Sequence, residues 1–276
     1  MLVGLVQLNA GDMPLENLPI TEGFIREAAG QGAKFVLTPE VTNIISSDRE
    51  HQNAVLQLER DDQTLERMVE LAAELGIWLL VGSLALKSPD PDTRFANRSF
   101  LIGPKGRIVE RYNKIHMFNV ALSETETWQE SAAFRAGNKL VVAKTAVGNI
   151  GMSICYDVRF PHLYRDLAKA GAGLLAVPSA FTQTTGEAHW EVLLRARAIE
   201  NGCFVLAPAQ CGHHSVTSGA PRSTYGHSLA VSPWGEVLAD GGTEPGVTIV
   251  EIDRNEILQT RRRIPSLRHD VQYNGA

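Results

Sequence analysis

The sequence predicts an α/β fold, and three observations carry that prediction. Short apolar runs such as KFVLTPE and LLAVPSA alternate with longer stretches of helical periodicity along the whole chain. The chain has 276 residues, 44% of them apolar, enough to bury a full core. No linker, internal repeat or low-complexity stretch breaks the alternation, so residues 1–276 read as one domain.

The elements follow in order. LVGLVQL, residues 2–8, is strand-like, and NLPITEGFIREAAGQG reads as a helix closed by glycine. KFVLTPE is a short apolar strand ending at Glu40. In DQTLERMVELAAELG the apolar Leu65, Met68, Val69 and Ala72 share one helical stripe. IWLLVGSLAL is a buried strand, and RSFLIGPKGRIVERY a hairpin turning near Gly103 and Gly106. KLVVAKTAVGNIGMSIC holds two strands around Gly148, and LLAVPSA and CFVLAPAQ are further strands, each after a helix. SLAVSPWGEVLAD is a second hairpin, turned between Pro233 and Gly235. DRNEILQTRRRIP reads as a closing helix with Asp253 as N-cap. Residues 119–138 and 211–223 are polar, glycine-containing and unpatterned, which marks them as site loops.

Composition excludes several classes. A formal net charge of −5 argues against nucleic acid and against an anionic membrane as main partner. The longest apolar run, IWLLVGSLAL, is too short to span a bilayer. Three cysteines do not form a disulfide framework, and the opening MLVGLVQLNA has no basic, signal-like segment, so a cytoplasmic protein is expected.

The chemistry-bearing candidates lie at strand ends. In GMSICYDVRFPHLYRDLAKAG, Cys155 sits where a buried strand gives way to a helix opening at Phe160-Pro161. Position alone leaves two readings open, core filler or a nucleophile served by backbone N–H groups at the helix start. Glu40, at the end of an apolar strand, is a base candidate because burial raises a carboxyl pKa. Lys114 in RYNKIHMF is a candidate to lower the thiol pKa and to stabilise developing negative charge. His189 lies in a helix whose core stripe is Trp190, Leu193 and Leu194, and reads first as packing. Cys211, His213 and His214 in CGHH lack the spacing and the fourth ligand of a zinc site, so neither metal nor cofactor is expected.

Taken together, TPE, then YNKIHMF, then GMSICYDVRFP resemble the nitrilase superfamily of carbon–nitrogen hydrolases, and the resemblance covers essentially the whole chain. PSAFTQTTGEAHWEVLLRARAIEN and AQCGHH…STYGHSLAVSPWGEVLAD are most similar to the Nit branch, the deaminated glutathione amidases and ω-amidases. The chain departs from that pattern at Glu187, where proline is common. The resemblance implies a four-layer α-β-β-α sandwich, paired through helices into homodimers or higher homo-oligomers. It implies Cys155 as nucleophile, Glu40 as general base and Lys114 as oxyanion cation, with the N–H of Tyr156 as second oxyanion donor. It places the family's second glutamate at Glu130, with Glu124 and Glu126 close by in the same loop. The implied substrate is a small amide of a 2-oxo acid carrying a carboxylate. Arg159, His189, His213, His214 and Arg222 are the candidates to contact it. A nitrilase or an N-carbamoyl amide hydrolase would use the same catalytic residues, and a non-catalytic binding protein on this fold is the reading from another class.

Overall fold

The strand Leu2–Gln7 shows why the chain forms layers. Val3 and Leu5 bury into one apolar cluster and Val6 into another, so the strand is covered on both faces. Phe35 and Leu37 against Val36, and Leu80 against Leu79 and Val81, repeat the division. The computed structural model describes residues 1–89, 93–124, 126–271 and 274. Thr125, inside the unpatterned stretch 119–138, lies outside the described residues.

Two sheets result. The first runs in the order Gly246–Glu251, Leu2–Gln7, Phe35–Leu37, Trp78–Leu86, Phe95–Ile102, Ile108–Asn113, with the short Phe134–Arg135 beside Phe95–Ile102. The second runs Val237–Asp240, Leu229–Val231, Phe204–Ala207, Leu174–Ala176, Gly148–Met152, Val142–Thr145. Each has a parallel centre and antiparallel edges.

Helices α1 (Pro14–Gly30) and α3 (Gln63–Leu75) bury Ile25, Ala28, Met68 and Leu71 against the outer face of the first sheet, with α2 (Arg49–Val55) between them in sequence. Helices α4 (Pro161–Lys169) and α5 (Gln183–Asn201) bury Leu163, Leu167, Trp190 and Leu194 in the cluster that also holds the facing side chains of both sheets. The architecture is therefore an α-β-β-α sandwich, closed by α6 (Asn255–Arg263). No helix among the described residues is long and apolar enough to cross a membrane.

Local chemistry explains most boundaries. α3 is capped by Asp62, whose carboxylate accepts from the Leu65 N–H, and ends at Gly76 in the left-handed region. α1 starts three residues before the stretch that suggested it, at Pro14, a residue suited to a first helical position. Asp253 is not the N-cap of α6: that position falls to Arg254, and Asp253, one residue earlier, accepts from the N–H of Asn255 at 3.0 Å. Both stretches read as irregular loops contain hairpins, Asn119–Ala121 with Thr127–Gln129 and Cys211–His214 with Arg222–Tyr225. Their strands are short and mostly polar, with buried positions such as His214 filled by polar residues, so they lack the apolar alternation that marks a strand.

Close backbone approach positions the first functional segment. A Cβ on Gly82 would lie 2.0 Å from the Thr38 carbonyl oxygen and 2.5 Å from that of Pro39. Only glycine lets this strand pass beneath residues 38–39, which carry the chain to Glu40 at the carboxyl end of its strand.

Candidate active site

Four strand ends converge across the interface between the two sheets, the usual location for chemistry in open α/β layers. The first sheet contributes Glu40 beyond Phe35–Leu37, Lys114 directly after Ile108–Asn113, and Asn97 within Phe95–Ile102. The second contributes Cys155 beyond Gly148–Met152 and the backbone of Ala180 beyond Leu174–Ala176.

Cys155 opens a single 3₁₀ turn, Cys155–Arg159, with φ at +48°. Val41, next to Glu40, has φ at +46°. Non-glycine residues seldom occupy this region, and a β-branched one is an outlier. Such strain costs on the order of 1–3 kcal/mol and persists where the surroundings over-determine it. Here the Cys155 N–H donates to the Pro178 carbonyl at 2.9 Å, and the Val41 N–H to Ser83 Oγ at 2.8 Å.

Lys114 is almost completely buried and bridges two carboxylates. Its Nζ donates to Glu40 Oε1 at 2.8 Å and to Glu130 Oε1 and Oε2 at 2.9 and 2.8 Å. Asn97 Nδ2 donates to the same pair, 2.9 Å from Glu40 and 3.3 Å from Glu130. The other Glu40 oxygen accepts the Ala180 N–H at 2.9 Å, and Glu130 also accepts the Phe118 N–H at 2.6 Å. Glu126, from the same loop as Glu130, instead reaches Trp128 Nε1 and Thr184 Oγ1.

Electrostatics sets the protonation states. Burial pushes the Glu40 carboxyl up, but the Lys114 ammonium and the hydrogen bonds from Lys114 and Cys155 outweigh it, so Glu40 lies below its ordinary value. Burial pushes Lys114 down, and the paired Glu130 and Glu40 more than reverse that. Burial, and next the Glu40 charge, push the Cys155 thiol up despite the opposing pull of Lys114. Two expectations are thereby corrected. Burial does not make Glu40 a raised-pKa base, and Lys114 does not leave a standing thiolate. The resting site is a neutral thiol hydrogen-bonded to a carboxylate, an arrangement in which any attack by the sulfur would have to be accompanied by deprotonation.

A pH dependence follows. A base whose pKa is depressed in the folded protein is lost only as pH falls through that depressed value, and a thiol with a raised pKa does not ionise near neutrality. kcat/KM is expected to stay flat from roughly pH 5.5 to 8, with its acid limb below the ordinary glutamate value of about 4.3. A rise between pH 6 and 8 that tracks thiol ionisation would contradict this assignment of protons.

Glu40, Lys114, Glu130, Cys155, Tyr156 and Arg222 all line one cavity of about 720 Å³. That is within the range of roughly 300–1,000 Å³ that takes small organic ligands. The Tyr156 N–H lies in the first turn of the 3₁₀ segment, where backbone donors have no partner within the helix. Arg222 donates through Nη2 to the Ala180 carbonyl, and its guanidinium carbon lies 4.9 Å from the Trp128 ring centre. Its buried Nε has no hydrogen-bond partner among the described residues.

The remaining sequence candidates lie outside this cavity. Arg159 turns away along the 3₁₀ segment, over the rings of Tyr156 and Phe181 and against His189 Nδ1 at 3.3 Å, which places His189 on the same outer patch. His213 is exposed beside Ser223. His214 is fully buried, with its ring nitrogens against the Ala10 carbonyl (2.8 Å) and Thr224 Oγ1 (2.7 Å), and burial lowers its pKa to about 4. It is a neutral strut beneath the rim and not a substrate contact. Glu187 is exposed, accepts from Gln183 Nε2, and does not line the cavity. Sequence reasoning missed Asn97 and Trp128. Asn97 leaves little signal, because it stands beside Arg98 and Ser99 in the strand FANRSFLI and only the fold shows that it is buried.

A family model described as carbon-nitrogen hydrolase matches residues 2–262. This chain belongs to the carbon–nitrogen hydrolase family. It is 40% identical over 273 residues to a deaminated glutathione amidase of Synechocystis sp., covering 98% of each chain. Among solved structures it resembles the C. elegans NitFhit protein with a TM-score of 0.89 and 35% identity. The match covers 98% of this carbon–nitrogen hydrolase but 64% of the longer NitFhit chain, so it spans less than two thirds of that protein. It also resembles Saccharomyces cerevisiae Nit3, of branch 10 of the nitrilase superfamily, with a TM-score of 0.84, 28% identity and coverage of 96% and 94%. The protein is thus a hydrolase of the amidase type, and its fold is the nitrilase sandwich.

Proposed function

We propose that this enzyme hydrolyses the ω-amide of a 2-oxo acid, of the deaminated glutathione or 2-oxoglutaramate type, through a thioester on Cys155. One observation carries the substrate class. Arg222, with an unpartnered buried Nε, lies in the wall of the cavity that holds the Glu40–Lys114–Glu130–Cys155 cluster. Glu40, Glu126, Glu130, Lys114 and Arg222 are the charged residues lining the cavity, three acids against two cations, so attraction of an anionic substrate falls to Arg222, since Lys114 is already paired with Glu40 and Glu130. The name of the Synechocystis relative supports the same class, and the cavity volume favours the longer substrate.

In the proposed reaction Glu40 takes the thiol proton as Cys155 Sγ attacks the amide carbon. Lys114 and the Tyr156 N–H hold the oxyanion. Glu40 returns the proton to the leaving nitrogen, the C–N bond breaks and a thioester remains. Water, deprotonated by Glu40, releases the acid and restores the thiol. Glu130 keeps Lys114 in place throughout. One domain covering the chain carries this chemistry without a metal or cofactor. The three free cysteines suit a reducing compartment such as the cytoplasm.

The test is the specificity constant for deaminated glutathione, 2-oxoglutaramate, a neutral aliphatic amide and an aliphatic nitrile on one preparation. The charged ω-amides are expected to be best, and best turnover of the nitrile would overturn the reading. Arg222→Ala should cost the charged amides roughly tenfold to a hundredfold, from about 1.5–3 kcal/mol for a charge-assisted bond, and leave the neutral amide nearly unchanged. Equal losses for both would remove Arg222 from substrate recognition.

The enzyme is also proposed to pair with a second copy through helices. Exposed Val192 and Ile199 of α5, Trp234 of the neighbouring hairpin turn and Leu258 of α6 support this. The hairpin seats on α5, since a Cβ on Gly235 would lie 2.5 Å from Ile199. Val192→Glu combined with Leu258→Glu should halve the mass seen in sedimentation, and an unchanged mass would place the contact elsewhere.

A further inference from the structure

The catalytic groups come from two different sheets. Glu40, Asn97 and Lys114 belong to the first, and Cys155 with the Ala180 N–H to the second. The lysine–thiol geometry therefore depends on whatever ties one sheet's end to the other's. The Lys114 backbone is fixed to its own surroundings, its N–H donating to the Asn97 carbonyl at 3.0 Å and its carbonyl accepting from Gly137 at 2.7 Å. The tie to the cysteine elbow is made elsewhere, at Asp157.

Asp157 is two residues after Cys155 and has no solvent exposure. Its carboxylate meets four donor groups. Oδ1 accepts the His116 N–H at 3.0 Å and lies 2.7 Å from His116 Nδ1. Oδ2 accepts the Tyr112 hydroxyl at 2.7 Å and the Ile154 N–H at 2.9 Å. Tyr112 and His116 stand two residues before and two residues after Lys114, so one carboxylate grips the lysine segment on both sides. Through Ile154 it grips the residue before the nucleophile as well. A second contact joins the same two segments, because the His116 ring stacks on Phe160 with centroids 3.5 Å apart and planes 8° from parallel. Burial, and next the Asp157 charge, hold the Tyr112 hydroxyl in its protonated, donating form.

We propose that Asp157 is a positioning residue that locks the lysine segment to the cysteine elbow and so sets the distance between Lys114 Nζ and Cys155 Sγ. It touches no substrate atom and acts through Tyr112, His116 and Ile154. The chemical arrangement fits that task. A buried carboxylate survives when its lone pairs are filled by donors, and four charge-assisted bonds make a short, stiff joint. The joint also helps to hold Cys155 at its left-handed backbone angle, since Ile154 immediately precedes it. This inference rests on the amidase reading for its kinetic readout, and a second readout does not depend on it.

Asp157→Asn turns an acceptor into a donor among donors and is liable to unfold the protein, so the test keeps Asp157 and removes its partners. The variants are Tyr112→Phe, His116→Ala, the Tyr112→Phe/His116→Ala double variant and His116→Asn, whose side-chain N–H stands where Nδ1 stood. kcat is expressed per folded molecule, with the folded fraction read from the melting curve at the assay temperature, so a loss of folded protein does not register as a loss of kcat. The double variant should lower kcat about tenfold to a hundredfold with KM within about twofold, the scale of effect of a misplaced reacting group. His116→Asn should recover most of what His116→Ala loses. Unchanged kcat per folded molecule with a lowered Tm would show a merely structural joint and overturn the proposal, as would His116→Asn being no better than His116→Ala. The alkylation rate of Cys155 at neutral pH should also fall at least threefold in the double variant, because Lys114 no longer opposes the raised thiol pKa. That rate is read without any amide substrate. If the wild type hydrolyses no amide the amidase reading fails, while a slowed alkylation still supports the joint and an unchanged alkylation rejects it.

Discussion

Cys155→Ala is expected to remove amide hydrolysis altogether while leaving the protein folded. The covalent route needs a sulfur at this point, and among the described residues Cys155 is the cysteine that lines the cavity with Glu40 and Lys114. Loss of a nucleophile costs on the order of 10⁶-fold in kcat where the catalytic groups act as a unit. The structural cost is small, on the order of 1 kcal/mol, because one sulfur is removed from the edge of a cavity and no backbone bond is lost. Circular dichroism and a melting curve measure the second statement. The first is measured by release of the leaving group, ammonia from a primary ω-amide or the free amine from deaminated glutathione. Retained activity in a preparation free of contaminating amidase would take Cys155 out of the mechanism. Cys203 and Cys211 serve as controls. Both are buried away from the cavity, Cys203 against the Ala172 carbonyl and Arg261, and their replacement should change stability more than kcat.

Glu40→Gln should block acylation, with a loss of about 10²–10⁴-fold for the missing base. The change is not silent structurally. The groups facing the Glu40 carboxylate are donors: Lys114 and Asn97 on Oε1, the Ala180 N–H on Oε2, and the Cys155 thiol. A glutamine must turn its NH₂ toward one of them, so a lower Tm accompanies the kinetic loss. Lys114 keeps Glu130 as partner and stays charged. Rapid mixing followed by mass measurement distinguishes the steps. A thioester formed at the wild-type rate in Glu40→Gln would show that another group takes the thiol proton.

The alternation of the α/β layers was legible because buried central strands and amphipathic helices leave opposite periodicities, as in Phe35–Leu37 and in α3. Glu40, Lys114 and Cys155 were each weak signals by position alone, and it is the resemblance of TPE, YNKIHMF and GMSICYDVRFP to the nitrilase superfamily that singled them out. The strand Gly246–Glu251 escaped notice, since most of it is only partly buried and it carries no clear alternation. The rim hairpins escaped because backbone pairing, not apolar burial, defines them. Arg159 was expected near the substrate by its place in sequence, but a 3₁₀ turn has its own rotation and directs it to the outer patch with His189. The pKa direction of Glu40 was missed because burial is visible in sequence, whereas the contact with Lys114, made 74 positions away, is not. Asp157 is the extreme case. In sequence it is one acid in a short turn, and only the fold shows that its four donors come from both sheets' ends.

The central claim is a covalent acyl intermediate on Cys155, and intact-protein mass spectrometry after millisecond quenching of enzyme with an ω-amide of a 2-oxo acid tests it most directly. The wild type should gain the mass of the substrate less its leaving amine, mapped to the peptide containing Cys155, and Cys155→Ala should gain nothing. Full turnover with no adduct at any quench time, or an adduct on a different residue, would contradict the account.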